Sequence, residues 1–563
     1  MPRILSRWLG ILAALALASC SGARGTGGAS DAPPSASDAA RFLTQATYGA
    51  SDASISQVRA GGYAQWIDQQ MILPAPPSHQ ADVEARLVQL KLTNPAATLN
   101  PQDFYYSYWD QAITGPDQLR QRMKLALSEI FVISLTDTNV DARGAASYYD
   151  MLGANAFGNF RTLLEQVSLH PMMGVYLTWL GNQKEDPATG RNPDENYARE
   201  VMQLMTIGLS QLNQDGSVKT DNSGRPLPTY TADDISGLAK VFTGYSYFST
   251  APNSGTFRGG SRNADATVRS MIAYPTFHST SAKTFLGVTI PASTVANPSG
   301  ELKTALDTLY NHPNVGPFIG RQLIQRLVTS NPSPAYVSRV AGVFNNNGKG
   351  VRGDMAAVVR AILLDSEARG ASNAADVNFG KVREPMIRVA NWARAFSATS
   401  QSGEFLIPST SANTSLSQSA LTSPSVFNFF RPGYSPPNTR VGNAGLVAPE
   451  LQIVDEITVA GYLNTLQTTV DTGIGNTVNG ARDVRSAYAA EIALADDTGA
   501  LADRMSLLLM NGKMPAALRA RIVEATNAIS LPATGTTRAT ALLNRVKLAA
   551  YMTMASSDYL VQR

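Results

Sequence analysis

Cysteine is almost absent: Cys20 is the only one in 563 residues. No disulfide can form within the chain, so a packed core must hold the fold. Histidine is nearly as scarce, with His79, His170, His278 and His312 alone. No HExxH, paired-cysteine or CxxCH spacing accompanies them, so the sequence assigns neither a metal nor any other cofactor. Charged residues make up only 16% and nearly cancel, at +3. That balance gives no electrostatic ground for binding nucleic acid. No apolar run reaches the length of about 20 residues that a membrane-crossing helix needs. Walker A and GxSxG sequences are missing. Gly348 to Gly353 (GKGVRG) fits GxGxxG, but it follows Asn345-Asn346-Asn347 and a helix, not a strand, which excludes a dinucleotide loop. No internal repeat of solenoid period is present.

What the chain does have begins at its first residues. Arg3 and Arg7 precede the apolar run Trp8 to Ala18, which ends in Leu17-Ala18-Ser19-Cys20. Such a run is too short to span a bilayer and has the layout of a cleavable secretory signal. The last four residues resemble the bacterial lipobox, in which the cysteine is lipidated after cleavage before it. Residues 1–19 are therefore expected to be the signal and Cys20 the lipid attachment site. Ser21, in place of aspartate, favours the outer membrane by resemblance to other lipoproteins. Residues 20–40, rich in Gly, Ser, Ala and Pro, are expected to be a flexible tether reaching about 25 Å. Residues 41–563 would then be the body, with a mean hydropathy of −0.10 that is ordinary for a globular protein.

Helical periodicity dominates that body. Met123, Leu127, Ile130 and Phe131 recur at helical spacing, with Asp117 placed to cap. Phe160, Leu163, Leu164 and Val167 repeat the pattern, and His170-Pro171 stops it. Further helices are expected from Pro171, from near Pro193, and over 233–243, 313–328, 334–345, 354–366, 382–396, 449–466, 501–510 and 538–556. Turn-forming residues between Leu209 and Tyr230 predict one or two hairpins. Lys283 to Ile290 reads as the best isolated strand. Ser397 to Ser423, rich in Ser and Thr, reads as a long surface loop. The fold class is mainly α, a large helical body with a few short β-hairpins.

Spaced blocks carry a resemblance. Arg41-Phe42-Leu43-Thr44-Gln45-Ala46-Thr47-Tyr48-Gly49, Gly62 to Gln70, His170-Pro171-Met172-Met173, Asn192 to Glu200 (NPDENYARE) and Tyr230 to Gly244 (YTADDISGLAKVFTG) come in order. Phe277-His278, Lys283 to Gly287, His312-Pro313, Lys381-Val382-Arg383-Glu384-Pro385 and Phe430 to Tyr434 complete the series. The chain resembles the bacterial family catalogued as domain of unknown function 1800, from about Ala40 to Arg563. The resemblance implies a mostly helical fold in an exported setting and no reaction. Gln203 and Met205 stand where that family commonly carries a second acid and a histidine or phenylalanine, so no carboxylate lies one turn beyond Glu200.

The helix near Pro193 holds the strongest candidates for chemistry. At 100° per residue, Tyr197, Ala198, Val201, Leu204 and Met205 form an apolar face, and Asn196 and Glu200 sit on its border. A border carboxylate is partly desolvated, which raises its pKa toward useful acid–base values. Glu195 and Arg199 are spaced as an ion pair, and Asp194 and Glu195 complement the helix dipole. Structural duty is the competing reading: caps for Asp194 and Glu195, backbone contacts for Glu200. His79 lies in a polar stretch and carries no message. His170 and His312 precede prolines at helix starts, which fits capping; the sharper alternative gathers His170, His278 and Glu200 around a pocket. Thr231 and Asp234 resemble a capping box beside Asp233. Arg383 and Arg431 are suited to an anionic or hydroxylated ligand, or to ion pairs.

Together these readings predict an exported, membrane-tethered hydrolase acting on an extracellular or envelope polymer, polysaccharide favoured. Glu200 would be the acid or base, Glu195 or Asp194 the second carboxylate, and His170 an orienting group. Asn196, Arg199, Asp233, Asp234, His278 and Arg383 would bind substrate, and Trp109, Tyr197, Tyr245 and Trp392 would stack on sugars. The alternative is a non-catalytic surface lipoprotein that binds a glycan or an envelope partner.

Overall fold

Helices begin where a side chain takes up the free amides of the first turn. In the computed structural model, which describes residues 33–260 and 262–563, Ser35 accepts from the Asp38 amide and opens helix Ala36–Ala46. The signal, Cys20 and most of the tether expected from sequence lie outside the described residues. The end of the tether does not: Ala39 and Ala40 are fully buried in that helix. The body therefore includes Ala36 to Ala40, because a capped, alanine-rich turn packs where low complexity predicted coil.

Residues 34–563 form one compact unit, and its secondary structure is mainly helical. Most expected helices are present, several within a residue or two: Pro334–Asn345, Val315–Leu327 and Met355–Leu364. Pro385 delays the helix expected from Val382 to Pro385–Ala395, since the residues before a proline are biased to extended backbone. The expected helix 449–466 breaks into a short 3-10 turn and helix Glu456–Thr472, which Asp455 and Thr458 open with a capping box.

Strands are short and antiparallel. Lys283 to Ile290 is a hairpin and not a single strand, pairing Lys283–Phe285 with Val288–Ile290. Leu286 (φ 49°) and Gly287 (φ 77°) make a tight turn with both central residues left-handed, the geometry that matches strand twist. The hairpin lies close against helix Ala232–Val241, where a Cβ on Gly237 would come within 1.8 Å of the Thr284 carbonyl oxygen. Bridges Ser210–Pro228, Leu212–Val218 and Thr220–Pro226 form the expected turn-rich ladder. Near the C-terminus, Val561–Gln562 pairs with Lys381–Val382.

Two segments depart from their sequence reading. Helix Gln118–Ser128 was expected to be amphipathic, yet Gln118, Gln121, Arg122, Lys124 and Ser128 are buried along with its apolar residues. The stretch Ser397–Ser423 is not a surface loop, since Phe405, Ile407, Leu416, Gln418, Ala420 and Leu421 are buried. Both run through the interior because their polar groups find partners there, as buried polar groups must.

Candidate active site

Helix His79–Thr93 starts on the cap of Ser78, and helix Pro101–Thr114 starts on a capping box of Asn100 and Asp103. The two pack together, facing Ser107 toward the first turn of the earlier helix. Four side chains then join in one hydrogen-bonded chain. Lys124 Nζ lies 2.6 Å from His79 Nε2, His79 Nδ1 lies 2.8 Å from Ser107 Oγ, and Ser107 Oγ donates to Asp82 Oδ2 at 2.7 Å. The inner end is sealed: His79 and Lys124 are 0% and 3% exposed. Its outer end opens, because Ser107 and Asp82 line a cavity of 500 Å³ with Arg86, Tyr106 and Glu404.

Burial sets the protonation of this chain. Desolvation, and then the neighbouring ammonium, push His79 well below its ordinary value of 6.5, so the imidazole is neutral at pH 7. Desolvation also pulls Lys124 down to about 8, against the opposing pull of Asp150 and Asp117. Lys124 also reaches Gln111 Oε1 at 3.2 Å and sits over the Tyr149 ring at 4.8 Å. Asp150 takes the His79 and Gln80 amides, each at 2.9 Å, and so fixes the backbone that aims the imidazole. At the mouth, Arg86 donates to Asp103 at 2.6 Å and pairs with Glu404, over the Tyr106 ring at 4.6 Å. With its one hydroxyl proton on the Asp82 side, Ser107 Oγ accepts from His79 Nδ1–H, and His79 Nε2 accepts from the Lys124 ammonium. A hydroxyl in contact with both a carboxylate and an imidazole backed by a third group is a candidate nucleophile.

A second polar cluster lies deeper. Arg122, Glu129, Arg326, Lys381, Glu384, Gln418 and Glu450 are all under 5% exposed. Lys381 Nζ reaches Glu450 Oε1 at 3.0 Å and Glu384 Oε1 at 3.3 Å, and Gln418 Nε2 donates to Glu384 Oε2 at 2.8 Å. Burial raises the carboxyl of Glu384, but Lys381, with help from Glu129 and Arg122, outweighs it and holds the group near 2. Burial and then the Glu384 charge drive Glu129 well above the ordinary carboxyl range. Glu129 thus holds its proton more tightly than Glu384, against the pull of Arg326, whose Nε lies 3.4 Å from Glu129 Oε2. Lys381 also lines an aliphatic cavity of 420 Å³ together with Arg388 and Tyr462.

A family model described as "Protein of unknown function (DUF1800)" matches residues 41–561. The chain belongs to that family. No curated protein and no solved structure matches it. Membership brings no reaction, so the chemistry of this DUF1800 chain rests on its own residues.

Three of the DUF1800 blocks singled out from the sequence meet, those of Tyr197, Phe242 and His278, and Tyr197 and Phe242 meet in aromatic packing. Trp179 stacks on Tyr197 at 5.0 Å and meets Phe242 and Tyr245 edge-on or tilted. Glu200 is 7% exposed; burial raises its carboxyl, Arg199 opposes, and Oε2 has no partner. Glu195 pairs with Arg199 at 3.3 Å. Asp194 accepts from Thr178 Oγ1 and from the Asn196 amide, both at 2.8 Å, and Asn196 donates to Thr178 at 3.3 Å. These are capping and surface contacts, and they turn Asp194 and Glu195 away from any pairing with Glu200. His170 Nδ1 accepts from the Met172 amide at 3.2 Å, the capping duty that its proline suggested. His312 does the same for Asn314. Asp234 completes the capping box with Thr231 and takes the Leu286 amide at 2.7 Å, while Asp233 is exposed. His278 does not join His170; it sits between the Thr243 carbonyl (2.7 Å) and Glu301 (2.9 Å), and Lys283 reaches the same carboxylate at 2.8 Å. Arg383 is buried over the Tyr559 ring at 4.5 Å. Trp109, Tyr197, Tyr245 and Trp392 are at most 3% exposed, so they pack the core and are shielded from any sugar. Among the described residues no group of three or more His, Cys, Asp or Glu is placed to hold a metal ion.

Sequence reasoning missed His79, Ser107, Lys124 and Asp82. One trace of them was readable: Ser107 interrupts the run Phe104-Tyr105-Tyr106-Ser107-Tyr108-Trp109, and a hydroxyl amid so many buried rings needs a polar partner.

Proposed function

We propose that this protein is an exported, lipid-anchored hydrolase that cleaves an ester or amide carried by an extracellular or envelope polymer, with polysaccharide the favoured carrier. The observation that carries the proposal is the chain Lys124–His79–Ser107–Asp82 at the floor of an open cavity. The lipobox-like leader supports the envelope setting. The acid–base machinery moves from Glu200 to this chain, because Glu200 has no second carboxylate beside it.

In this scheme the reactive form, populated above pH 8, has Lys124 as the neutral amine and His79 protonated on Nε2 alone, and the Ser107 hydroxyl turns from Asp82 to His79 Nδ1. Ser107 Oγ then attacks the acyl carbon and gives its proton to His79 Nδ1 as the new C–O bond forms. The proton on Nε2 passes to the neutral amine of Lys124, which stores it at an atom 2.6 Å away. Returned along the same path, that proton reaches the leaving alcohol or amine as the acyl–oxygen or acyl–nitrogen bond breaks. Water then releases the acyl group from Ser107 with the same residues acting in reverse. Arg86, the cation at the mouth, is placed to draw charge from the acyl oxygen. The flanking carboxylates favour a neutral or cationic carrier over an anionic one.

The test is a screen of acylated polysaccharides and small esters with the lipid-anchored chain, read beside labelling by a serine-directed phosphonate. Turnover and labelling that both vanish in Ser107→Ala support the proposal; turnover that survives in Ser107→Ala rejects Ser107 as the nucleophile. A second reading, non-catalytic binding, is favoured by the 420 Å³ cavity, whose aliphatic walls and Arg388 suit an acyl chain with an anionic end. Retention of such a ligand without turnover of any ester would favour it.

A further inference from the structure

The first helix, the loop after helix Thr498–Met510 and the last strand enclose a cavity of 200 Å³ that the proposed hydrolysis does not use. Four cationic side chains line it, Arg41, Arg383, Lys513 and Arg563, against two carboxylates, Asp38 and Asp558. Asp38 is already engaged, since Ser35 Oγ donates to it at 2.6 Å. None of the four cations forms a salt bridge among the described residues, an unusual state for guanidinium groups as enclosed as these.

Arg41 is 5% exposed and Arg383 is 3% exposed. Nε and Nη2 of Arg41 and Nε of Arg383 have no hydrogen-bond partner. Arg383 spends one donor on Asn391 Oδ1 at 3.3 Å and lays its face on the Tyr559 ring. Arg41 has the Phe379 ring 5.9 Å from its guanidinium carbon and Asp38 within electrostatic reach, though not in a salt bridge. A third guanidinium, Arg369, lies close enough to oppose the charge of Arg41; its Nε is also unpartnered, while Nη2 is held by Gln45. Two buried guanidinium groups in the wall of one cavity, neither held in a salt bridge, are costly unless an anion completes them.

We infer that this cavity is an oxyanion site that takes a phosphate group. Forked guanidinium donors from two directions match its several oxygens better than a single carboxylate does. The volume fits the group itself or the head of a larger molecule whose remainder stays outside. Free phosphate and a phospholipid headgroup share this chemistry.

The experiment is calorimetric titration of the purified full-length, lipid-anchored chain with inorganic phosphate at fixed ionic strength. One saturable site is expected, and Lys513→Glu should weaken it about tenfold, the loss of one charge-assisted contact. Lys513 is exposed on its loop, so this variant keeps its fold; Arg563→Gln is a second variant of the same kind. Arg383→Gln should abolish binding, with folding checked by circular dichroism. Competition by short-chain phosphatidylglycerol, and none by phosphatidylcholine, would assign the phosphate to a lipid headgroup. No competition by either lipid would assign it to a soluble phosphate. Absence of saturable phosphate binding, or affinity unchanged in both Lys513→Glu and Arg563→Gln, overturns the inference.

Discussion

Replacing Lys124 with methionine separates the proton store from the rest of the chain and has a magnitude that can be worked out. The ammonium is buried, and its pKa falls from 10.5 to about 8. Between those values the unfolded chain keeps a proton that the folded protein has released, so stability must rise with pH across that window. The penalty of burying the charge is fully present below pH 8 and is removed as pH climbs to 10.5. At about 1.4 kcal/mol per pH unit, it amounts to roughly 3 kcal/mol. Absolute stability is a poor readout, because Lys124→Met also strands His79 Nε2 and Gln111 Oε1, at about 1–3 kcal/mol each. Tyr48, raised to about 12 by burial, erodes stability above pH 10 in both proteins. The difference between wild type and variant cancels that term. Urea unfolding at pH 7, 8, 9 and 10 should show wild type gaining on Lys124→Met by most of 3 kcal/mol. In parallel, kcat/KM of the wild type should rise with an apparent pKa near 8, and the variant should lose that limb. A stability difference that stays flat within about 0.5 kcal/mol from pH 7 to 10 would refute the buried, depressed ammonium and the relay built on it.

The neutral Glu129 and the ionised Glu384 make one substitution behave in two ways. Glu129→Gln, which resembles the protonated acid, should be within about 1 kcal/mol of wild type or more stable at pH 7, because burial and the Glu384 charge already hold Glu129 neutral. Glu384→Gln strips Lys381 of a buried partner and should cost about 3–5 kcal/mol in denaturant melts; equal losses in the two variants would contradict the assignment. Cys20→Ala should abolish membrane association, and a variant that still fractionates with membranes by the normal route rejects the lipobox reading. Deleting residues 21–34 should leave the melting temperature within about 2 °C, since the Gly/Ser/Ala/Pro-rich stretch offers no large apolar side chains to bury; a larger drop would mean that the tether packs on the body.

Local rules decide much of this chain. Helix Pro334–Asn345 is bounded by a serine cap, a proline at its first position and a polar stop, all of which are sequence features. The Thr231–Asp234 capping box and the capping duty of His170 follow from neighbours two or three residues away. The mainly α class and the family are legible for the same reason: each block carries its own pattern. Other features depend on partners far along the chain. Leu286 takes a left-handed turn that only the adjacent Gly287 hinted at, and so an expected strand became a hairpin. His79 looked like one polar residue among many, and Lys124 like the solvated face of an amphipathic helix. Both are buried because Ser107 and Gln111 reach them from another helix. Gln418 seemed part of a surface loop until Glu384 offered it a carboxylate. Periodicity reports which residues share a face, but a polar face is buried only when another segment brings matching donors and charges to it. That pairing is a property of the assembled core, and it lowers Lys124, raises Glu129 and leaves Arg41 without a salt bridge.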